Sequence, residues 1–234
     1  MQLFYNQHIT EKDSSFNFDK DESRHIVKVL RKTIGDTLQI TNGKGWLFNA
    51  ELTLADQKHC SVKIHSKSLQ PKRNYNLHLA VAPTKMNDRY EWFLEKATEI
   101  GIETITPIFC DHSERKIVKL ERFEKILQSA TKQSLQYYLP KLNDPMSFKD
   151  FISQGFTDQI FIAHCEETDK KSLKSQLKPA SNCTILIGPE GDFSVKEIEM
   201  ALQHNFIPVT LGETRLRTET AAIAACHSVA FLNE

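Results

Sequence analysis

The chain has 234 residues, 40% of them hydrophobic and 26% charged, with 30 Lys+Arg against 30 Asp+Glu. Such a composition is that of an ordinary globular protein with apolar mass for one large or two modest cores. Zero net charge excludes a global field drawing the molecule to nucleic acid or membrane, so any basic footprint is local.

The N-terminal stretch reads mostly as β. A short helix spans about 22–32, with Ile26, Val27 and Leu30 on one face. Alternating segments at 37–41, 46–54 and 59–65 read as strands, and Asn42-Gly43-Lys44-Gly45 reads as a hairpin turn between the first two. These elements predict a small barrel over residues 1–72, ending in the polar segment LQPKRNYN at 69–76. Residues 1–72 carry 11 Lys+Arg against 8 Asp+Glu, and residues 73–234 carry 19 against 22. That contrast tilts the phosphate-facing role toward the N-terminal part.

From residue 73 to 234, strands and helices alternate. The predicted order is a strand at 77–82, then a helix capped by Asp88 that runs through Ile100 to a stop at Gly101. A strand at 104–109, a long helix at 119–138 closed by Pro140, a strand at 159–164 and a polar helix near 171–177 follow. Two strand–loop–helix units come last, with strands at 184–187 and 208–211. The alternation predicts an α/β fold with a mostly parallel sheet flanked by helices. The final helix, about 219–232, is small or apolar nearly all round, from Ala221 to Phe231. It is predicted to be buried, in a core or between subunits.

No apolar run approaches the ~18 residues that span a bilayer, and the N-terminus lacks a charged-then-apolar leader pattern. Cys60, Cys110, Cys165, Cys183 and Cys226 are odd in number and form no C-x-x-C pair. They read as small buried hydrophobes in a cytoplasmic protein with no membrane association and no metal.

The chemistry concentrates in IGPEGDFS at 187–194 and LGETRLRTETA at 211–221. Each runs from a strand through a glycine turn into a helix start. Ser194 and Glu197 form a capping-box pattern, and Thr218 reads as a cap, with Glu219 at the positive helix end. Loops at the carboxyl ends of neighbouring strands converge on one ligand in open α/β sheets. No G-x-x-x-x-G-K-[ST] is present and no G-x-G-x-x-G follows the first strand of this domain, which disfavours ATP hydrolysis and Rossmann-type NAD binding. Gly188, Gly191 and Gly212 either expose main-chain atoms to a purine or simply permit tight turns. Arg215 and Arg217 alternate with Leu216, so in extended chain both guanidinium groups face one side, ready for phosphate or carboxylate, or for water. Arg24, Lys28, Arg31 and Lys32 form a basic stripe on the first helix, and Arg115, Lys116 and Lys119 form a second cluster. Each is either an RNA-phosphate contact or a solvated face.

IGPEGDFS and LGETRLRTETA together resemble the RsmE family of SPOUT methyltransferases. HIVKVLR at 25–31 with Gly35-Asp36, KMNDRYEWFLEKATEIGI at 85–102, SERKIVKL at 113–120 and ATKQS at 130–134 match its other motifs in order, so the resemblance covers nearly the whole chain. It implies methylation of uridine N3 in 16S ribosomal RNA of the small ribosomal subunit, with S-adenosyl-L-methionine as donor. It implies a trefoil-knotted C-terminal domain, an exception to the rule that backbones do not thread, and a PUA-like N-terminal barrel for RNA recognition. It also implies an obligate homodimer that buries the last helix. The implied cofactor contacts are Leu186, Ile187, Gly188, Pro189, Glu190, Gly191, Leu211, Gly212, Leu216, Arg217 and Thr218. A uracil losing its N3 proton develops charge on O2 and O4, which an arginine stabilises. Arg217 is the first candidate and Arg215 the second. Glu190 is a candidate base, or else an acceptor for a backbone amide. Three positions depart from the family pattern: Asp192 stands where a second glycine is usual, Gln136 where arginine is common, and Lys116 where Ser or Cys often follows Glu-Arg. Competing readings are a knotted methyltransferase acting on ribose 2′-OH or another base, and a non-catalytic RNA-binding or ribosome-assembly protein.

Overall fold

The computed structural model describes residues 2–156, 158–167 and 169–234. The chain divides into two compact units, Met1–Lys72 with Thr131–Leu139, and Arg73–Ala130 with Pro140–Glu234.

The first unit holds β1 (Leu3–Tyr5), β2 (Ser15–Asn17), α1 (Lys20–Arg24), β3 (Thr37–Thr41), β4 (Trp46–Leu54) and β5 (Ser61–Leu69). Its five-stranded sheet runs in the order β1-β3-β4-β5-β2 and is antiparallel except for the β1–β3 pair. Alternation along β3 and β4 turns Leu38, Ile40, Phe48, Ala50 and Leu52 inward onto Phe4, Phe18 and Ile26. The predicted single helix at 22–32 is corrected. α1 is capped by Asp19, whose carboxylate accepts from the Glu22 amide, and it passes directly into a π-helical turn over His25–Val29. Arg31 has left the helix, with φ at 54°, so Arg31 and Lys32 do not share a helical face with Lys28.

The segment 131–139 completes this unit. The predicted helix to residue 138 stops at Gln133, because Leu135 turns to φ 56° and the Gln136 amide donates back to Thr131 O at 3.1 Å. The chain then runs beside the 42–45 turn. The Gly45 amide donates to Tyr137 O, the Leu139 amide to Gly43 O (each 2.9 Å), and the Tyr138 hydroxyl to Gln70 O. Gly45 has φ 93°, and a Cβ there would lie 2.3 Å from the Tyr138 ring, so only glycine fits. Lys132 pairs with Glu22 at 2.6 Å.

The second unit begins with β6 (Leu77–Val81), α2 (Asn87–Ile100), β7 (Thr104–Phe109) and α3 (Leu120–Gln133), whose last turn belongs to the first unit. It continues with β8 (Lys141–Leu142), β9 (Met146–Ser147), α4 (Phe148–Ile152), β10 (Gln159–Ala163), β11 (Lys171–Ser172) and α5 (Leu173–Gln176). β12 (Cys183–Ile187), α6 (Val195–Gln203), β13 (Ile207–Thr210) and α7 (Thr218–Leu232) close it. All strand pairs are parallel, in the order β11-β13-β10-β12-β6-β7-β8, with β9 alongside β7. One sheet face packs Ala80, Ile108, Ile162 and Leu186 against α4 and α6. α7 lies over β6 and β12 and packs on α2.

β13 stands outside β10, yet α7 rests on β12 and β6. The chain therefore returns across the sheet between residues 211 and 217, the segment in which the resemblance implies the knot. Two caps differ from expectation. α2 starts after Met86, and Asp88 lies inside its first turn, where its Oδ1 accepts from the Arg89 amide at 3.0 Å. Thr218 is the first residue of α7 rather than its cap. Within one chain α7 covers Ala222, Ala225, Cys226 and Val229 and leaves Phe231 64% exposed.

Candidate active site at the knot

β12 is buried along its whole length between β10 and β6, so its end projects the loop 188–194 from the centre of the sheet. The capping box at Ser194 holds the far side of that loop. The Glu197 amide donates to Ser194 Oγ, the Ser194 amide donates to Glu197 Oε2, and the Ser194 hydroxyl donates to Asp111 Oδ2 at 2.6 Å. Gly188 packs so closely that a Cβ would stand 3.1 Å from the Phe193 ring. The crossing chain is fastened at the same glycine: the Thr218 hydroxyl donates to Gly188 O at 3.0 Å.

Asp192, the residue in place of a usual glycine, sits at φ 62°, a conformation that glycine adopts without strain. It contributes what glycine cannot. Its Oδ2 accepts from the Cys165 amide at 2.6 Å, tying the loop to the end of β10. His112 Nδ1 lies 3.0 Å from Gly191 O and 3.1 Å from Asp192 O.

Two adjoining cavities open here. The first, about 280 Å³, is lined by Ile187, Gly188, Pro189 and Glu190 from one loop, by Arg215, Leu216, Arg217 and Thr218 from the other, and by Asp192 and Ala221. The second, about 430 Å³, lies between the ends of β10 and β13, with Leu211, Gly212, Arg215 and Leu216 on one wall and His164, Cys165 and Lys170 on the other. Thr210 Oγ1 donates to Gly212 O at 2.7 Å and fixes that turn. The two loops singled out in the sequence thus meet around one space.

Leu186 and Gly191 line neither cavity. The Leu186 side chain points into the core beneath α6, and Gly191 abuts His112. Glu190 lines the first cavity, and its Oε1 accepts from the Lys85 amide at 2.9 Å. Arg215 and Arg217 are both exposed and, among the described residues, neither is held by an ion pair or hydrogen bond. The arrangement is a main-chain-rich slot with two unengaged cations at its rim. His164, Cys165 and Lys170 carry no motif of their own in the sequence. Only the sheet order brings the end of β10 between the two glycine loops.

His164 is 6% exposed, and its ring is pushed below the usual imidazole pKa by burial and then by the Lys170 ammonium. Burial, followed by the charge of Asp192, pushes the Cys165 thiol up. The five cysteines are free. Among the described residues, no group of three His, Cys, Asp or Glu could hold a metal ion, and no helix is long and apolar enough to cross a membrane.

Among the basic residues, Arg24, Lys28 and Arg31 are exposed on the first unit, while Lys32 pairs with Asp36 at 3.9 Å. On the second unit Lys116 and Lys119 are exposed. Arg115 is engaged internally: Nε donates to Thr84 O at 3.1 Å and Nη2 to Lys85 O at 2.7 Å.

A parallel sheet whose final helix is reached by a chain crossing back over the sheet, with a slot between the two glycine loops, is the arrangement of the knotted RNA methyltransferases. A family model described as RNA methyltransferase domain matches residues 71–230, and one described as RNA methyltransferase PUA domain matches residues 18–64. A Buchnera aphidicola protein named ribosomal RNA small subunit methyltransferase E is 33% identical over 221 residues, 91% of this chain and 86% of that one. A Porphyromonas gingivalis structure described as a probable rRNA-methyltransferase is 39% identical with a TM-score of 0.92, covering 100% of this chain and 98% of that one. A Neisseria gonorrhoeae ribosomal RNA small subunit methyltransferase E, solved bound to S-adenosyl methionine, is 25% identical with a TM-score of 0.87, covering 100% and 98%. The chain belongs to the RsmE family of ribosomal RNA small subunit methyltransferases.

Proposed function

We propose that the protein transfers a methyl group from S-adenosyl-L-methionine to N3 of a uridine in the 16S RNA of the small ribosomal subunit, in the cytoplasm. The observation that carries this reading is the meeting of the loops 187–192 and 211–218 around one slot rimmed by two unengaged arginines. The slot fits the donor: its volume is in the range of small-molecule sites, and Ile187, Leu216 and Ala221 give it apolar walls. Main-chain groups at Gly188, Pro189, Leu211, Gly212 and Thr218 and the side chain of Leu216 would hold the cofactor. When bound, it supplies an electrophilic methyl group on a sulfonium, which needs no metal activation.

The remaining work falls to the protein. N3–H of uracil is a weak acid, and its anion spreads charge onto O2 and O4. Arg217 lines the first cavity, is free of internal partners and stabilises that charge, while Arg215 spans both cavities and assists. Glu190 is committed through Oε1 to the Lys85 amide and serves chiefly to hold the loop; only its second oxygen is available for proton transfer. Arg24, Lys28 and Arg31 on the first unit, and Lys116 and Lys119 on the second, contact RNA phosphates without reading sequence. Arg115 supports them by anchoring the chain at Thr84 and Lys85. The base is presented unpaired, since N3 is on its pairing edge. A second copy of the chain covers the outer face of α7, where Phe231 is exposed.

Nucleoside mass spectrometry of 16S RNA from cells lacking the protein tests the reaction. Loss of N3-methyluridine, restored by the intact gene, is the expected result. Persistence of that nucleoside rejects the assignment, and loss of a 2′-O-methyl nucleoside instead would redirect it.

A further inference from the structure

We propose that His164 is a cofactor-binding residue whose imidazole hydrogen-bonds the adenosine half of the methyl donor in the second cavity. The inference rests on the methyltransferase reading above. His164 follows β10, is 6% exposed, and has neither Nδ1 nor Nε2 in a hydrogen bond among the described residues. Buried polar groups in folded proteins are almost always paired, and an unpaired one costs free energy. His164 is one of the residues that line the 430 Å³ cavity, and its two ring nitrogens are closed off from solvent.

The surroundings define what binds. The Lys170 ammonium is turned to main-chain oxygens, donating to His164 O at 2.9 Å and to Glu166 O. Arg215 and Glu213 lie on the facing wall, and the Asp192 and Glu166 carboxylates also act on the ring. Burial and Lys170 outweigh these carboxylates and keep the ring neutral, with one donor and one acceptor nitrogen. Hydroxyls and amines of a nucleoside match that pair of roles. Ala163, Val209, Leu216 and Ala221 supply apolar walls for a flat base. Arg217 lines only the first cavity, so the reacting sulfonium end belongs there and the nucleoside end in the second.

Calorimetric titration of the full-length protein with S-adenosylhomocysteine, and with 5′-methylthioadenosine, which lacks the amino-acid tail, tests this. His164→Phe is expected to weaken both ligands by about tenfold, the equivalent of one hydrogen bond. His164→Asn, which keeps a donor and an acceptor, is expected to recover part of the loss. The ligand-free melting temperature of His164→Phe is expected not to fall, because an unpaired polar ring is exchanged for an apolar one; a merely structural histidine would lower it. His164→Leu gives the same comparison if phenylalanine is too large. Unchanged affinity in the folded variants overturns the proposal. So does a loss confined to S-adenosylhomocysteine, which would place the ring on the tail. Failure of the unaltered protein to bind either ligand would instead reject the methyltransferase reading itself.

Discussion

At the level of single residues, the site separates side chains that hold shape from side chains left free to act. Asp192, Glu190, Thr218 and Arg115 are all spent on main-chain partners. Arg217 is not, and Arg217→Ala is expected to reduce methyl transfer at least a hundredfold, in the range of losing one charge-stabilising donor. Cofactor affinity measured by calorimetry should change by less than threefold. A second residue-level expectation concerns His78. Burial, assisted by the Lys141 charge, pushes its imidazole down to about 4, and its Nε2 lies 2.7 Å from Thr106 Oγ1. The unfolded chain binds a proton near pH 6.5 and the folded chain does not. The neutral ring therefore contributes no pH dependence above 6.5, and stability falls as pH drops from 6.5 toward 4, by up to about 3 kcal/mol. Denaturant titrations across that window should show the slope, and His78→Gln should flatten it. The glycine loops and the arginine pair were legible in the sequence because their residue types are distinctive. His164 was not, since it merely ends an apolar run, and only the pairing of β10 with both β12 and β13 reveals what its ring faces.

Among the elements, those governed by local pattern matched expectation best. The strands at Leu77–Val81, Thr104–Phe109 and Cys183–Ile187 follow from apolar runs, and the start of α6 follows from Ser194 and Glu197. Ser194→Ala removes both the cap and the bond to Asp111, and should cost about 1–2 kcal/mol of unfolding free energy. Its denaturant midpoint should fall with an unchanged slope. Elements set by distant partners escaped the sequence. Helical spacing continues past Gln133, but hydrogen bonds from Gly45 and Leu139 draw residues 135–139 into a strand-like path. The first helix likewise looked continuous from 22 to 32, because apolar spacing alone does not reveal a π-turn at His25–Val29.

For the molecule as a whole, the apolar excess of α7 exceeds what one chain covers. The unaltered protein is expected to scatter light as the proposed dimer and Phe231→Glu as a monomer at equal concentration, with the far-ultraviolet spectrum unchanged. A monomeric unaltered protein would leave that face without the partner proposed for it. The crossing at residues 211–217 has a different implication. The Gly188–Thr218 bond can close only once the crossing is in place, and it joins the two walls of the slot. A molecule with every helix and strand formed but the tail still outside would look nearly native by its backbone and yet have nowhere to put a nucleoside. Ligand uptake in this protein is therefore a report that the crossing has been made.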